Sequence, residues 1–518
     1  MSFSDVQKVA AERQARWSLP WPRPFKYRLW EIFPAVFSWT TILAVIFLSF
    51  LAPIWAIRLV IVYDVYWLCK VLYFIIFVLA SSFKLARAVK TPWWLKLQDD
   101  YKEESSKLWQ IYLLPSAGES TEVLRESLEK IAAQIYDHKK MVVVLACEER
   151  QRAIFGNDLE LIKKDFADRF FDFLIVWHPD NLPGEIRGKG SNIYYAGTHI
   201  QAWLDEQNID YKKVLLSSLD LDSQLHPQYS AYLAHRFLTV KNPLRASFQP
   251  LVLYHNNMWQ SSSIVRVSAF GTTFWLLSEL TRSDRLFTFS SHSMPFQMLV
   301  DVGFWQKDIV SEDSRIFLQA FMHYNGDYRV EPLFLPLSMD TVMTKSWGQS
   351  LRHLYKQQKR WAWGIENLAW TYWQLKNRPK IKSAQKWRIL LLQLEGMYSW
   401  ATAPLVIFIL GYVPLRVIWT YGQASVVVTN APDLLQFLMQ LAGAGMVLSA
   451  ILSVVFLTFL PFNRRRNRLG SWAFMVLQWI LLPVTLIIFG SLPALDAQTR
   501  MALGKYLGFW VTDKGRLK

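Results

Sequence analysis

The sequence predicts an α/β domain, a mostly parallel sheet with helices on both faces, flanked by transmembrane helices. Three observations lead there. Short apolar runs alternate with helical patterns through the middle of the chain. Long apolar segments lie on either side of that middle. The composition, 52% hydrophobic and 15% aromatic with 25 tryptophans, suits a membrane protein carrying a soluble part. At 518 residues the chain is also too long for one ordinary soluble domain.

Residues 1–100 read as a cytosolic N-terminal segment followed by two spans, Phe33 to Ile57 and Leu59 to Phe83. Each reaches the roughly 20 apolar residues that cross a bilayer. No small-residue cleavage site follows a short apolar core, so no removable signal peptide is expected. Arg13, Arg16, Arg23, Lys26 and Arg28 precede the first span, Lys84, Arg87 and Lys90 follow the second, and Arg58 alone lies between them. The positive-inside rule then places the N-terminus and the next domain in the cytoplasm. Asp64 and Lys70 are costly inside a span and are expected to face other helices.

Residues 101–346 read as the soluble domain. Its strand-like runs are "LWQIYLLP", "KMVVVLACE", "FFDFLIVWHP", "KVLLSSLD" and "RASFQPLVLYH", with helical patterns such as "STEVLRESLEKIAAQI" between some of them. This alternation predicts a largely parallel sheet covered by helices, and such sheets bind ligands at the carboxyl ends of their strands. Residues 347–385 read as interfacial helices, rich in aromatic and basic side chains. Residues 386–518 hold three more apolar segments, Ile389–Tyr412, Leu434–Leu460 and Ser471–Leu492, and a tail. "NRRRNR" at 463–468 marks a cytoplasmic loop. An odd number of spans would put the tail outside, whereas its Arg500, Lys505, Lys514, Arg516 and Lys518 argue for inside; the two signals oppose each other.

The net charge is +16, from 57 basic and 41 acidic residues. Many of the basic residues flank apolar segments, where they act as topology anchors, so no nucleic-acid partner is expected. Two cysteines, Cys69 in a span and Cys147 at the end of a strand-like run, exclude a disulfide scaffold.

The run beginning at Val214 ends in Asp220 and Asp222. If the strand continues to 222, both carboxylates point to one face. Side-by-side carboxylates repel, and a hard divalent cation is one reason to tolerate them. The competing reading is a solvated turn with an Asp cap. Three further motifs decide between them. "RGKGSN" supplies Lys189 and Asn192, "VSEDSRIF" supplies Glu312 and Asp313, and "YKQQKRWAWG" supplies Gln357, Gln358, Lys359, Arg360 and Trp361.

In this order, with membrane segments on both sides, the motifs resemble those of family 2 glycosyltransferases, specifically the membrane synthases related to cellulose, chitin and hyaluronan synthases. The family pattern is D-x-D, a T-E-D-like triplet, then Q-x-x-R-W; here the triplet is S-E-D and the pentad Q-Q-K-R-W. The resemblance covers about residues 105–375 by motif. It departs in the first strand, which ends "LPSAGES" and keeps only Pro115 and Glu119, and in the second, where Cys147, Glu148 and Glu149 replace an aspartate pair.

The resemblance implies a GT-A-like fold and an inverting, metal-dependent transfer of a sugar from a nucleoside-diphosphate sugar, a UDP-sugar first among candidates. The acceptor would be a growing polysaccharide at the cytoplasmic membrane face. It implies that Asp313 is the general base. Asp222, with Asp220, would hold Mg²⁺ or Mn²⁺. Asp220, Lys189, Glu148 and Glu149 would bind the nucleotide, and Gln357, Arg360 and Trp361 the acceptor and diphosphate. Two alternatives stand beside this reading. One is a single-transfer enzyme with a lipid-linked acceptor, which the Q-x-x-R-W match disfavours. The other is a catalytically inactive scaffold, which the joint presence of Asp220, Asp222, Asp313, Arg360 and Trp361 disfavours.

Overall fold

The computed structural model describes residues 1–20, 22–421, 433, 437 and 469–508. Apart from Phe437, the expected span Leu434–Leu460 lies outside the described residues, as do the "NRRRNR" loop and the tail residues Lys514, Arg516 and Lys518.

The soluble domain is built on an eight-stranded mixed sheet: β1 (Trp109–Pro115), β2 (Met141–Glu148), β3 (Asp172–His178), β4 (Val214–Ser218), β5 (Gln224–Leu225), β6 (Ala246–Tyr254), β7 (His292–Pro295) and β8 (Arg329–Met339). The spatial order is β3-β2-β1-β4-β7-β6-β8-β5. The first four pair in parallel. β7 is antiparallel to both β4 and β6, and β6 pairs in parallel with β8. All five strand-like runs of the sequence are strands. β2 is buried at every position, as a strand covered by helices on both faces must be. β5, β7 and β8 were not anticipated, β5 being only two residues long. β7 is only four residues long, and β8 carries Pro332 and Pro336, which cannot donate to a ladder.

The chain runs β1, β2, β3 outward on one side, then returns to place β4 on the other side of β1. This is a topological switch point, where a crevice opens beyond the carboxyl ends of the strands. The helix Lys189–Glu206 crosses from β3 to β4 and delivers its N-terminus to that crevice.

Four helices among the described residues are long and apolar enough to cross a membrane: Phe25–Leu51, Pro53–Lys90, Ser383–Thr420 and Ala473–Ala502. The break between the first two falls at Ala52–Pro53, which corrects the expected break at Arg58. Proline has no N–H and its φ suits a first helical position, so it ends one helix and starts the next, leaving Arg58 inside the second. Side chains such as Phe47, Phe50 and Ile76 are exposed on these helices, as lipid contact requires. Lys70 pairs with Glu395 on the helix Ser383–Leu405, and Tyr66 donates to the same carboxylate at 2.8 Å. Asp64 is buried with neither carboxylate oxygen hydrogen-bonded.

The aromatic segment after residue 346 forms two helices, Trp347–Ala362 and Glu366–Lys376, separated by one tight turn at Trp363–Ile365. Lys359 pairs with Asp496 at 3.0 Å and ties the first of these to the last membrane helix. The N-terminal helix Phe3–Ala15 lies on the soluble domain rather than apart from it. Phe3 stacks on His199 at 3.7 Å between ring centroids, and Met1 pairs with Asp205.

Candidate active site

β4 stops at Ser218, two residues before the first aspartate. The last ladder bond runs from the Leu219 N–H to the Leu113 carbonyl at 2.9 Å, and the Ser223 N–H then closes a turn onto the Asp220 carbonyl at 2.9 Å. The two aspartates therefore sit in a turn between β4 and β5, which corrects the expectation of one strand face. Freed from strand alternation, their carboxylates have different surroundings. Asp220 Oδ1 accepts from Lys189 at 2.7 Å and Oδ2 from the Ser290 hydroxyl at 2.6 Å. The Asp222 side chain is buried, and its Oδ2 accepts the Asp340 backbone N–H at 2.8 Å. Asn256 donates to the Asp222 carbonyl at 3.2 Å.

Lys189 joins two of the expected motifs. Its ammonium lies 2.7 Å from Asp220 Oδ1, and 3.0 and 2.9 Å from the two oxygens of Asp313. Burial would lower its pKa, but Asp220 and Asp313 outweigh that and hold it above its ordinary value. Asp313 stands in the first turn of the helix Glu312–His323, where acidic residues are favoured. Thr288 donates to its backbone carbonyl at 2.6 Å. Glu312 is buried beside it, and burial, then the neighbouring Asp313 charge, push its carboxyl well above the usual range. Gly190 permits this approach: a Cβ there would stand 3.1 Å from the Gln306 carbonyl and 3.3 Å from Glu312 Cβ.

Of the other expected residues, Gln357 and Gln358 are buried, and with Tyr254, Asp340, Thr341 and Trp361 they line a cleft beside the aspartate turn. The Trp361 and Tyr254 rings are 6.0 Å apart. Arg360 is near enough for its charge to act on both Glu312 and Tyr254. Glu148 and Glu149 point to different environments. Glu148 is buried, 3.6 Å from His178, whose other nitrogen lies 2.9 Å from Glu185. Glu149 is on the surface, paired with Arg152 at 3.2 Å. Asn192, also buried, donates to the Ala146 carbonyl at 2.7 Å and so braces the carboxyl end of β2.

A second cleft opens over the ends of β1, β2 and β3, lined by Ser116, Glu119, Cys147, Gln151, Trp177 and Leu221. Burial pushes the Cys147 thiol up to about 12, which makes it inert at neutral pH. Sequence reasoning missed Ser290, Tyr254 and Asp340. Ser290 lies in "FTFSSHSMPF" and stands against Asp220. His292 in that stretch is buried in β7, its Nδ1 2.7 Å from the Phe289 carbonyl. Asp340 follows the proline-interrupted β8, whose pattern hid the strand end that would have marked it.

Among the described residues no three His, Cys, Asp or Glu side chains form a metal cage. Asp222 supplies hard carboxylate oxygen, the donor that Mg²⁺ and Mn²⁺ take, and Mg²⁺ at phosphate sites binds through one or two carboxylates plus the phosphates. The donor chemistry of Asp222 fits an ion of that kind.

No known family model matches the chain, and no curated protein matches it. Among solved structures it is similar to the mannosyltransferase PcManGT from Pyrobaculum calidifontis in complex with GDP-Man and Mn²⁺. The identity is 13% over 87% of this chain and 100% of that one, with a TM-score of 0.46. It is also similar to S. aureus TarS 1-349 in complex with UDP-GlcNAc, at 12% identity over 65% of this chain and 92% of that one, TM-score 0.34. Scores this low do not carry a function across.

Proposed function

We propose that the chain is an inverting glycosyltransferase that moves a sugar from a nucleoside-diphosphate donor to a growing polysaccharide at the cytoplasmic face of a membrane. The observation that supports this best is the meeting at Lys189 of a D-x-D turn and an acidic helix start. They meet beyond the carboxyl ends of a parallel sheet, beside a helix rich in Arg and Trp. On this reading residues 101–346 are the catalytic domain. Residues 1–100 and 386–518 hold the membrane helices, and 347–385 lie at the interface.

The donor diphosphate would lie over the aspartate turn, with its base in the cleft over β1, β2 and β3. Glu119 and Cys147 line that cleft, and Glu148 and Glu149 follow Cys147 in the chain. Asp313 takes the proton of the acceptor hydroxyl. That oxygen forms the new bond to the anomeric carbon as the bond to the diphosphate oxygen breaks, and the diphosphate leaves with the electron pair. Attack opposite the leaving group inverts the centre. Lys189 and Arg360 face the charge that builds on the diphosphate, and donors pre-aimed at developing charge usually supply the largest single share of catalysis. Asp222, with Asp220, would hold Mg²⁺ or Mn²⁺, which when bound neutralises further phosphate charge. Gln357 and Trp361 line the acceptor cleft, where the indole offers a face to a sugar ring.

The test is to incubate detergent-purified protein with a panel of nucleotide sugars and measure nucleoside diphosphate release and polymer formation. Release with a polymer supports the reading. A single transfer to lipid moves the assignment to a lipid-linked acceptor, and no release from any donor overturns it. Orientation is checked separately. A reporter fused after Lys90 should read as cytoplasmic, and protease attack on residues 101–346 from outside intact cells would overturn that side.

A further inference from the structure

The N-terminal segment grips the loop that precedes the helix bearing the candidate base. Gln14 is 7% exposed. Its side-chain amide nitrogen lies 2.6, 3.0 and 2.8 Å from the carbonyl oxygens of Gly303, Phe304 and Trp305. The Trp17 indole, fully buried, donates to the Val302 carbonyl at 2.7 Å, and Arg13 donates to the Val300 carbonyl. The backbone there is unusual. Gly303 and Phe304 both have positive φ, +79° and +64°, a costly conformation for phenylalanine. A Cβ on Gly303 would stand 2.6 Å from Arg13 Cβ, so the strap and the loop touch at backbone range.

The loop leads directly to the site. Phe304 O also accepts from Gln319 at 3.2 Å, and Gln319 is on the helix that starts with Glu312 and Asp313. The Gln306 side chain accepts from Arg315 of that helix at 2.6 Å. Arg315 also donates to Asn367 at 2.6 Å and stacks on Trp370, whose indole donates to the Trp17 carbonyl at 3.1 Å. The circuit therefore closes from Gln14 through the loop and the base helix back to Trp17.

We infer that Gln14 is a positioning residue for the helix bearing Asp313, with residues 3–17 acting as a strap that fixes residues 303–315. The inference rests on the proposed transferase reading for its kinetic consequence only. Three consecutive carbonyls aimed one way need a donor, and leaving buried carbonyls unpaired is unfavourable. Without the strap the Phe304 conformation would relax and carry the base helix with it. A shift of the reacting groups by about 1 Å can cost on the order of 100-fold in rate.

The test uses the full chain with Gln14→Met, which keeps the length and removes the donor, and Gln14→Glu, which turns a carboxylate toward the three carbonyls. Trp17→Phe, which removes one N–H and keeps most of the bulk, is the milder variant should either fail to fold. Hydrogen exchange by mass spectrometry is read at residues 303–315 and in β1 to β4, and kcat and donor KM are measured on the same preparations. The expected result is faster exchange confined to 303–315, a kcat lower by about 10-fold or more, Glu worse than Met, and an unchanged donor KM. Wild-type exchange at 303–315 in a folded variant would overturn the inference. So would exchange that rises throughout the sheet, or a wild-type kcat with a loosened loop. If the unaltered protein turns over no donor, the transferase reading fails, while exchange at 303–315 still decides whether the strap holds the loop.

Discussion

The ammonium of Lys189 lies 2.9 Å from Asp313 Oδ2, and the same nitrogen holds Asp220. One cation thus links two acids that come from opposite halves of the sheet. Lys189→Met should leave the two carboxylates without their shared partner. The side chains of Asp220 and Asp313 are 26% and 21% exposed, so the loss should fall below that of a fully buried pair, at about 1–3 kcal/mol. Chemical denaturation of wild type and variant measures it, and Lys189→Arg should retain part of it. An unchanged unfolding midpoint would show that the bridge contributes nothing to stability.

Asp313→Asn keeps the shape of the side chain and removes the proton acceptor. Sugar transfer should fall by about 10²-fold or more, in the range of general-base contributions. Donor binding should change little, because the base meets the acceptor hydroxyl. Asn also gives up the charge paired with Lys189, so melting temperature should fall, but by less than in Lys189→Met, which loses both pairings. Transfer at the wild-type rate would end the assignment.

Asp222→Asn still accepts the Asp340 N–H but offers no negative charge to a cation. The variant should fold normally and lose transfer. Wild-type transfer should stop in chelator and return with Mg²⁺ or Mn²⁺. Full activity of Asp222→Asn in chelator would remove the metal from this site.

His178 gives a pH dependence with a definite sign. Burial would lower its pKa, but Glu148 and Glu185 on its two sides outweigh that and raise it from 6.5 to about 9. The folded state then binds a proton that the unfolded chain has released. Its stabilising effect is complete below 6.5 and fades as pH rises through about 9. Melting temperature should fall over that window, and the fall should be shallower in His178→Gln. An identical pH profile for the two proteins would show that this histidine is not charged in the folded state.

The parts legible in sequence are those where one local pattern fixes the outcome. β1 to β4 and β6 announce themselves as apolar runs, and Asp220, Lys189 and Asp313 fall within about 3 Å of a common point although their spacing alone fixes no distance. Other parts depend on contacts that no local pattern encodes. The aspartate turn was read as strand because Leu219 and Leu221 continue the alternation, yet the Ser223 N–H bends the chain at Asp220. β8 was hidden by its two prolines, and with it Asp340. The pairing of Glu148 with His178, thirty residues on, becomes visible only when β2 and β3 pair. The seat of the N-terminal helix was illegible for the same reason, since Gln14 pairs with carbonyls nearly three hundred residues away.

The place of β7 between β4 and β6 has a consequence during synthesis. β1 to β4 can pair as soon as Ser218 has left the ribosome, but the free edge of β4 waits for His292 to Pro295. At about 5–20 residues per second that wait lasts several seconds. An open apolar strand edge is a template for pairing with other chains. Throughout this interval the nascent chain is already tethered by the helices Phe25–Leu51 and Pro53–Lys90, which precede the sheet and would hold the half-built domain close to the membrane surface. Slowing translation between 219 and 291 should therefore raise aggregation, whereas slowing it after Met339, when β8 has covered the far edge of β6, should not.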